Sequence, residues 1–287
     1  MTARPADLER EATRAAKGLP ELIAAAEQTA LAVTTGRHAR QRPGRSDTFW
    51  QFRDYAPGDP ASSIDWRQSA RLERRLLVRQ TEWEQPQTFL LWCDGDEDFD
   101  FAGAERPSKR FRGLTIALAL AIVLLRSGER VGLWGGAEPP VSGTQSIPSL
   151  AYQMLAPQAA LRNLVPADHA RTVLISDFHR PPSELHLAFA HIRHAHGRPI
   201  AVVVEDPLEQ QFPYQGATNF EGPLGTARRR FSDARSISDA YHTARHEHHQ
   251  ALNDAARLIH ETVRFHTTDQ SPAPLLLALL QHIRNED

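Results

Sequence analysis

The chain has 287 residues, enough for one large domain or two small ones with a substantial core. Its 33 Lys and Arg residues nearly balance 35 Asp and Glu residues, so no overall charge attracts it to nucleic acid or to an acidic membrane surface. Only Lys17 and Lys109 are lysines, which indicates a compositional preference for arginine. A single cysteine, Cys93, excludes an internal disulfide framework and fits a reducing compartment.

Two further features predict a cytoplasmic protein without membrane insertion. The N-terminal segment MTARPADLEREATRAAKG is charged throughout and lacks the apolar stretch of a secretory signal. The longest apolar run, Leu114–Leu125, has 12 residues, whereas a membrane-spanning helix needs about 20.

The first third of the chain predicts a helix followed by a small β-rich region. Residues 19–33 are rich in Ala and Leu at helical spacing, which predicts an N-terminal helix. Residues 34–48 contain Gly, Pro and Arg without an apolar period and predict a loop or an edge strand. Short apolar pieces around the PGDP sequence in residues 49–84 predict a small β-rich subdomain.

From residue 85 onward, apolar strands alternate with helices. The predicted strands are TFLLWC (88–93), RVGLW (130–134), RTVLIS (171–176), PIAVVV (199–204) and TVRFHT (262–267). The predicted helices are 108–127, 183–196, 236–260 and 271–284. This pattern favours an α/β fold, a mostly parallel sheet covered by helices on both faces. We therefore divide the chain into a helical segment (1–35), a β-rich subdomain (36–84) and an α/β domain (85–287).

Acidic residues follow two of the predicted strands. Asp94 comes directly after TFLLWC, and Asp177 comes directly after RTVLIS. Loops that leave the carboxyl ends of parallel strands form the ligand crevice of such a sheet. We expect the functional site there.

Several segments resemble one bacterial family. They are GRHARQRPG (36–44), FWQFRDYAPGDPASSIDWRQSAR (49–71), LVRQTEWE (77–84) and FLLWCD (89–94), with KRFRGLTIALALA, SGERVGLW, LISDF and VEDPLEQQFPYQG further on. Together they resemble the domain of unknown function 58 (DUF58) family over about residues 20–285. The resemblance implies a doubly wound domain like the von Willebrand factor A domain, preceded by the helix and the β-rich subdomain.

The resemblance also implies a metal-ion-dependent adhesion site, built in such domains from an Asp-x-Ser-x-Ser loop, a threonine and a further aspartate. Asp94 and Asp177 match by position, and Thr144 is the candidate for the threonine. Where the two serines are expected, this chain has Asp96 and Asp98.

The change from serine to aspartate alters the predicted metal chemistry. Several carboxylates repel one another without a cation, and with a cation they leave little charge to attract an acidic partner. The longer side chains suit Ca²⁺ or Mn²⁺ better than octahedral Mg²⁺. Our hypothesis is a degenerate site that binds Mg²⁺, Mn²⁺ or Ca²⁺ differently or binds no metal, and that prefers a basic partner group when it is metal-free.

Other patterns have a simpler interpretation. An EF-hand numbering that starts at Asp94 fails because Phe99 stands where that loop needs glycine. His242, His246 and His249 share a face of a predicted helix, and with 14 histidines in the chain we interpret them as a polar surface. Arg228–Arg230 predict a solvated face, and Cys93 predicts a small core residue.

A set of charged and aromatic residues in the β-rich region predicts a structural junction. We expect an ion-pair and aromatic network that joins this region to the α/β domain. Its members are Arg53, Asp54, Asp59, Asp65, Trp66 and Arg71.

The sequence contains no nucleophile elbow, no phosphate-binding glycine loop and no paired acid and base, so we do not expect an enzyme. The resemblance implies a protein-binding adaptor or assembly factor that works with a MoxR-type AAA+ ATPase. Two alternatives stay open: a metal-dependent hydrolase that uses the aspartate cluster, and a structural protein with a vestigial site.

Overall fold

The computed structural model describes residues 20–33, 49–56, 59, 61–71, 75–81, 86–103, 105–156, 158–163, 165, 167–221 and 228–285. The chain forms two compact units. The smaller unit is Ala39–Pro86, and the larger unit combines Met1–His38 with Gln87–Asp287. The helix at residues 20–33 therefore belongs to the same unit as residues 87–287, and residues 39–86 form the other unit.

The described strands are β1 (Phe49–Asp54), β2 (Leu77–Thr81), β3 (Thr88–Cys93), β4 (Arg130–Leu133), β5 (Arg171–Ser176), β6 (Arg198–Glu205), β7 (Thr218–Glu221), β8 (Arg228–Phe231) and β9 (Val263–Thr267). The described α-helices are α1 (20–33), α2 (Trp66–Ser69), α3 (Lys109–Arg126), α4 (Ile147–Leu155), α5 (Pro182–His194), α6 (Pro207–Gln211), α7 (Ser238–Arg257) and α8 (Ala273–Asn285).

A five-stranded parallel sheet is the centre of the larger unit. Its strand order is β4-β3-β5-β6-β9, and all four neighbouring pairs are parallel. The predicted α/β fold, doubly wound with a mostly parallel sheet, is confirmed. The chain moves outward from β3 to β4 and then returns to β5 on the other side of β3. The carboxyl ends of β3 and β5 therefore flank the point where the winding direction reverses, which is where such sheets bind ligands.

Helices cover both faces of this sheet, as predicted. Alternate side chains of β3 belong to different cores, with Phe89 and Leu91 on one face and Leu90 and Trp92 on the other. The first core includes buried residues of α1, α3, α4 and α8, and the second includes residues of α5 and α7. Because both faces are covered, the strands have continuous apolar sequences rather than alternating ones.

Helix α3 crosses the sheet closely and begins beside the carboxyl ends of the strands. The Ser108 side chain caps it by accepting a hydrogen bond from the Phe111 amide. A Cβ atom at Gly113 would lie 2.9 Å from the Cys93 sulfur and 3.1 Å from an Ile175 methyl carbon, so glycine permits this close approach. The first turn of α3 is thereby fixed next to the ends of β3 and β5.

The smaller unit contains an antiparallel pair, β1–β2, and the short helix α2. Asp65 caps α2 by accepting a hydrogen bond from the Gln68 amide at 3.0 Å. Asp54 pairs with Arg75 at 2.8 Å, and the Asp59 carboxylate accepts a hydrogen bond from the Ala56 amide at 3.0 Å.

The remaining residues of the predicted junction also lie in this unit. Trp66 is 62% exposed and Arg71 is exposed, while the Arg53 side chain lies outside the described part of the structure. A junction role for the six residues stays a prediction.

In the larger unit, three elements were not predicted from the sequence: helix α4, helix α6 and the β7–β8 hairpin. In the smaller unit, the short helix α2 was not predicted either. The hairpin stands beside an aromatic group in which Phe212 stacks on Phe220 and Tyr241. None of the helices in the described ranges is long and apolar enough to cross a membrane.

Candidate functional site

The predicted aspartates Asp94 and Asp177 lie at the carboxyl ends of β3 and β5, where the winding of the sheet reverses. Both are buried, at 8% exposure each. The Asp94 amide donates a hydrogen bond to the Ile175 carbonyl, which continues the β3–β5 ladder by one residue. The two carboxylates are therefore positioned by the sheet itself.

The Asp94 carboxylate is held by hydrogen bonds from its own neighbours. It accepts one from the Ser176 hydroxyl at 2.7 Å and one from the Asp96 amide at 3.1 Å. Burial raises the pKa of Asp94, and the nearby Asp177 adds to this, against the opposing effects of Ser176 and Arg180. Ser176 also accepts a hydrogen bond from the Phe178 amide, so its hydroxyl links the loop after β3 to the loop after β5.

Asp96, which stands at the first expected serine position, is neutralised within the chain. Its carboxylate is in close contact with the Arg180 guanidinium, and both side chains are about one-third exposed. Asp98 lies in the 3₁₀ turn Glu97–Asp100 and is half-buried. The loop after β3 thus turns one carboxylate toward Arg180, while Glu97 and Asp100 face outward.

A buried lysine, Lys109, lies between two carboxylates at the centre of the site. Its ammonium is 2.7 Å from Asp177 Oδ2 and 2.6 Å from Glu209 Oε1, and the side chain is 1% exposed. Burial lowers the pKa of Lys109, but the two carboxylates outweigh it and the net shift is upward. The His179 ring lies beside the same group, with Nδ1 3.4 Å from Asp177 Oδ2 and Nε2 3.8 Å from Glu209 Oε1.

Local backbone structure explains how these side chains reach one another. Phe178 adopts a left-handed conformation (φ 50°), which turns the chain sharply after Asp177. Glu209 is the third residue of α6 and forms a capping box with Asp206, in which its Oε2 accepts from the Asp206 amide at 2.8 Å. The other oxygen of Glu209 is thereby directed toward Lys109.

Thr144, the predicted threonine ligand, lies elsewhere on the surface. It begins the 3₁₀ turn Thr144–Ser146 that follows the edge strand β4, and its side chain is exposed. Among the residues that the structure describes, it forms no hydrogen bond with Asp94, Asp96 or Asp177. The structure brings Asp94, Asp96 and Asp177 to one edge of the sheet without Thr144.

The neighbouring strand end carries a second buried ion-pair group. Glu205, at the end of β6, accepts two hydrogen bonds from Arg245 at 3.0 and 2.6 Å and contacts His249 Nε2 at 2.9 Å. Burial opposes its charge, but these partners prevail and lower the pKa of Glu205 to about 2. Asp206 is fully buried and accepts hydrogen bonds from the Gly103 amide and the Thr268 hydroxyl.

The histidines of α7 do not meet at one point. His249 pairs with Glu205, His246 contacts Gln250, and His242 packs edge-on against Phe212 and Tyr241. Each ring therefore has a different environment: His242 and His246 are exposed, as predicted for a polar surface, whereas His249 belongs to the Glu205 ion-pair group.

One described group of side chains has metal-ligand geometry, but a cation of the chain already lies within it. The described group with metal-ligand geometry is Asp177, His179 and Glu209, whose ligand atoms lie within 4.8 Å of one another. A metal bound there would be about 2.0–2.2 Å from each ligand. The Lys109 ammonium lies at hydrogen-bond distance from both carboxylates and so occupies that position.

A narrow cleft borders the site on the α5 side. Asp94, Ser176, Arg180 and Glu184 contribute its polar groups, and its apolar walls include Trp92. The space amounts to about 270 Å³, including open solvent at its mouth. Nearby Cys93 is buried, which raises the pKa of its thiol strongly and makes it an inert core residue, as predicted.

The family assignment rests on a sequence model that covers most of the chain. The model described as "Protein of unknown function DUF58" matches residues 51–251. The chain belongs to the DUF58 family. This match includes both strand ends that carry Asp94 and Asp177, and it confirms the family predicted from the sequence. No curated protein and no solved structure gives a significant match to this DUF58 chain.

Sequence reasoning did not identify five residues of the site: Lys109, Ser176, His179, Arg180 and Glu209. One signal for Lys109 was present, because it is one of two lysines in a chain that otherwise uses arginine. It also stands at the start of the longest apolar helix. The partners of a buried lysine are set by folding, since Asp177 and Glu209 are 68 and 100 residues away.

Proposed function

We propose that this DUF58 protein is a non-enzymatic adaptor or assembly factor that binds a MoxR-type AAA+ ATPase through metal-free, charge-based contacts. The observation that carries the proposal is the internal pairing of the site. Asp96 is paired with Arg180, Asp177 with Lys109, and Asp94 with Ser176. Because these charged groups are paired within the chain, the site offers a contact surface rather than groups available for catalysis.

The loop after β3 is the best candidate for the contact surface. Its outer side carries the exposed acidic residues Glu97, Asp100 and Glu105, and Phe101 is 38% exposed beside them. Aromatic residues are enriched at protein contact surfaces, and polar residues form the rim around them. This composition supports a partner surface with arginine or lysine side chains. The sequence hypothesis placed such a basic partner at the crevice around Asp94, Asp96, Asp98, Thr144 and Asp177 instead.

The experiment is co-purification with the MoxR-type AAA+ ATPase of the same source, performed in EDTA and at two salt concentrations. We expect binding that persists in EDTA and weakens as salt is raised from 0.05 to 0.5 M, because salt screens exposed charges. Glu97→Lys combined with Asp100→Lys should weaken binding about tenfold or more.

A matched variant tests whether weakened binding is specific to this loop or follows from any change of surface charge. Glu247→Lys with Asp254→Lys makes the same change of charge on exposed positions of α7. We expect it to bind like the unmodified protein. Equal weakening by both variants, or binding that requires Mg²⁺, would contradict the proposal.

A further inference from the structure

A cation of this chain occupies the position that a divalent metal would take. The Lys109 ammonium is 2.7 Å from Asp177 and 2.6 Å from Glu209, and its side chain is almost completely buried. A third ligating group, the His179 ring, is within reach of both carboxylates. Two carboxylates and an imidazole around a buried positive charge form a cation site whose occupant is a side chain.

We propose that Lys109 is a built-in substitute for a divalent cation, and that Asp177, His179 and Glu209 form a latent Zn²⁺ or Mn²⁺ site which opens when the ammonium is removed. While Lys109 is present, the site takes no metal, because a second cation would be repelled and would find both carboxylates already engaged. The inference concerns the chemistry of the site alone and does not depend on the proposed adaptor function.

The ligand geometry supports a small transition-metal ion. His179 Nδ1 and Asp177 Oδ2 are 3.4 Å apart, and His179 Nε2 and Glu209 Oε1 are 3.8 Å apart. Ligands bound tetrahedrally at about 2.0–2.1 Å are about 3.3–3.4 Å from one another. The Nδ1–Asp177 distance matches this value, and one ligand atom from each of the three residues lies within 4.8 Å of the others, so the His179 ring would have to move closer to Glu209 to bind the same ion through one nitrogen. An imidazole with carboxylates suits Zn²⁺ or Mn²⁺ better than Mg²⁺.

The position of the three ligands also favours a fixed site over a flexible one. Asp177 follows β5 directly, and its Oδ1 accepts a hydrogen bond from the His179 amide at 3.2 Å. Glu209 is held through its other oxygen by the Asp206 amide. Hydrogen bonds behind the ligating atoms orient them, as in established metal sites.

The experiment compares the full-length protein with Lys109→Ala. Without metal, we expect Lys109→Ala to melt about 5–10 °C lower, because Asp177 and Glu209 then face each other without a counter-ion. Addition of 50 μM ZnCl₂ should recover most of that loss in the variant and leave the melting temperature of the unmodified protein unchanged. Calorimetric titration should show one Zn²⁺ per chain for the variant alone.

Two controls make the result specific. Lys109→Ala with His179→Ala should bind Zn²⁺ at least tenfold more weakly, because one ligand is lost. Lys109→Ala with Asp177→Asn should melt higher than Lys109→Ala in the absence of metal, because the repulsion between carboxylates is removed. If Lys109→Ala is insoluble, refolding with and without ZnCl₂ replaces the melting assay, and a soluble yield that increases with Zn²⁺ is the expected result.

Three outcomes would overturn the inference. The first is stabilisation of the unmodified protein by Zn²⁺ or Mn²⁺ as large as that of the variant. The second is a soluble Lys109→Ala protein that binds neither Zn²⁺ nor Mn²⁺, whether or not it loses stability. The third is an insoluble variant whose refolding yield does not respond to Zn²⁺.

Discussion

At the scale of single residues, the main property of this site is that buried carboxylates are matched by cations and hydrogen-bond donors of the same chain. An unpaired buried charge is strongly destabilising, so each carboxylate at the sheet edge needs such a partner. Lys109 pairs with Asp177 after β5, and Arg245 pairs with Glu205 at the end of β6. Arg180 pairs with the partly exposed Asp96 after β3. Asp94 differs, because its main support is the neutral Ser176 hydroxyl and its pKa is raised.

The Glu205 group gives a pH-dependent prediction. The pKa of Glu205 is lowered from 4.5 to about 2 in the folded protein. A lowered carboxyl pKa adds stability that is complete above the unfolded value and is lost as pH falls toward the folded value. We therefore expect Glu205→Gln to lower the free energy of unfolding by about 3 kcal/mol at pH 6, and by progressively less between pH 4.5 and pH 2.

Urea denaturation at several pH values measures this difference. Glu221→Gln is the matched control, because Glu221 also pairs with an arginine but its side chain is 56% exposed. Its effect should be small and nearly constant with pH, as for surface ion pairs in general. A gap between Glu205→Gln and the unmodified protein that stays constant from pH 6 to pH 2 would contradict the assignment.

At the scale of elements, the capping of α2 leads to a second prediction. Asp65→Ala removes the hydrogen bond to the Gln68 amide, and the loss of such a cap lowers stability by about 1 kcal/mol. Asp96→Ala removes a partly exposed ion pair that contributes between about 0 and 1 kcal/mol. We expect Asp65→Ala to lower the melting temperature more than Asp96→Ala does.

Asp65→Asn separates the cap from the charge. Asparagine caps helices as well as aspartate does, so this variant should melt close to the unmodified protein. If Asp65→Asn and Asp65→Ala are equally destabilising, the charge of Asp65 rather than its capping hydrogen bond is the important property, and the predicted junction gains support.

The elements also show where sequence reasoning succeeds. The five strands of the parallel sheet were predicted within one or two residues, because buried parallel strands are apolar on both faces and stand out from their surroundings. Helix α3 was equally clear from its apolar length. Strands β7 and β8 were missed, since TNFE and RRRF have four residues each and lack an apolar run. They depend instead on pairing with each other and on the aromatic residues beside them.

At the scale of the whole molecule, the location of the site was predictable, whereas its chemistry was not. Parallel strands bring their carboxyl ends to one edge, so Asp94 and Asp177 were expected to be close. The cations that neutralise this edge come from the start of α3 and from the loop after β5. Sequence spacing does not encode those contacts, and the predicted metal ligand set therefore omitted Lys109, which pairs with Asp177.

The division into two units leads to the final prediction. Residues 39–86 form their own unit, whereas α1 places Leu22, Ala26, Ala30 and Val33 in the core of the other, together with residues of α3 and α8. The family match covers residues 51–251 and so includes neither α1 nor α8, although both belong to that core. We expect the sequence before residue 39 to be required for the α/β unit and residues 39–86 to be dispensable for its folding.

Two shortened proteins test this prediction. In one, about 20 Gly and Ser residues replace 39–86, a flexible connection long enough to span a small domain. In the other, residues 1–86 are deleted. The first should unfold cooperatively near the temperature of the full chain, because its core is intact. The second should lose several kcal/mol, since the buried Leu22 and Val33 side chains alone contribute about 1.5–3 kcal/mol each. Equal stability of the two proteins would show that α1 is not an integral part of this core.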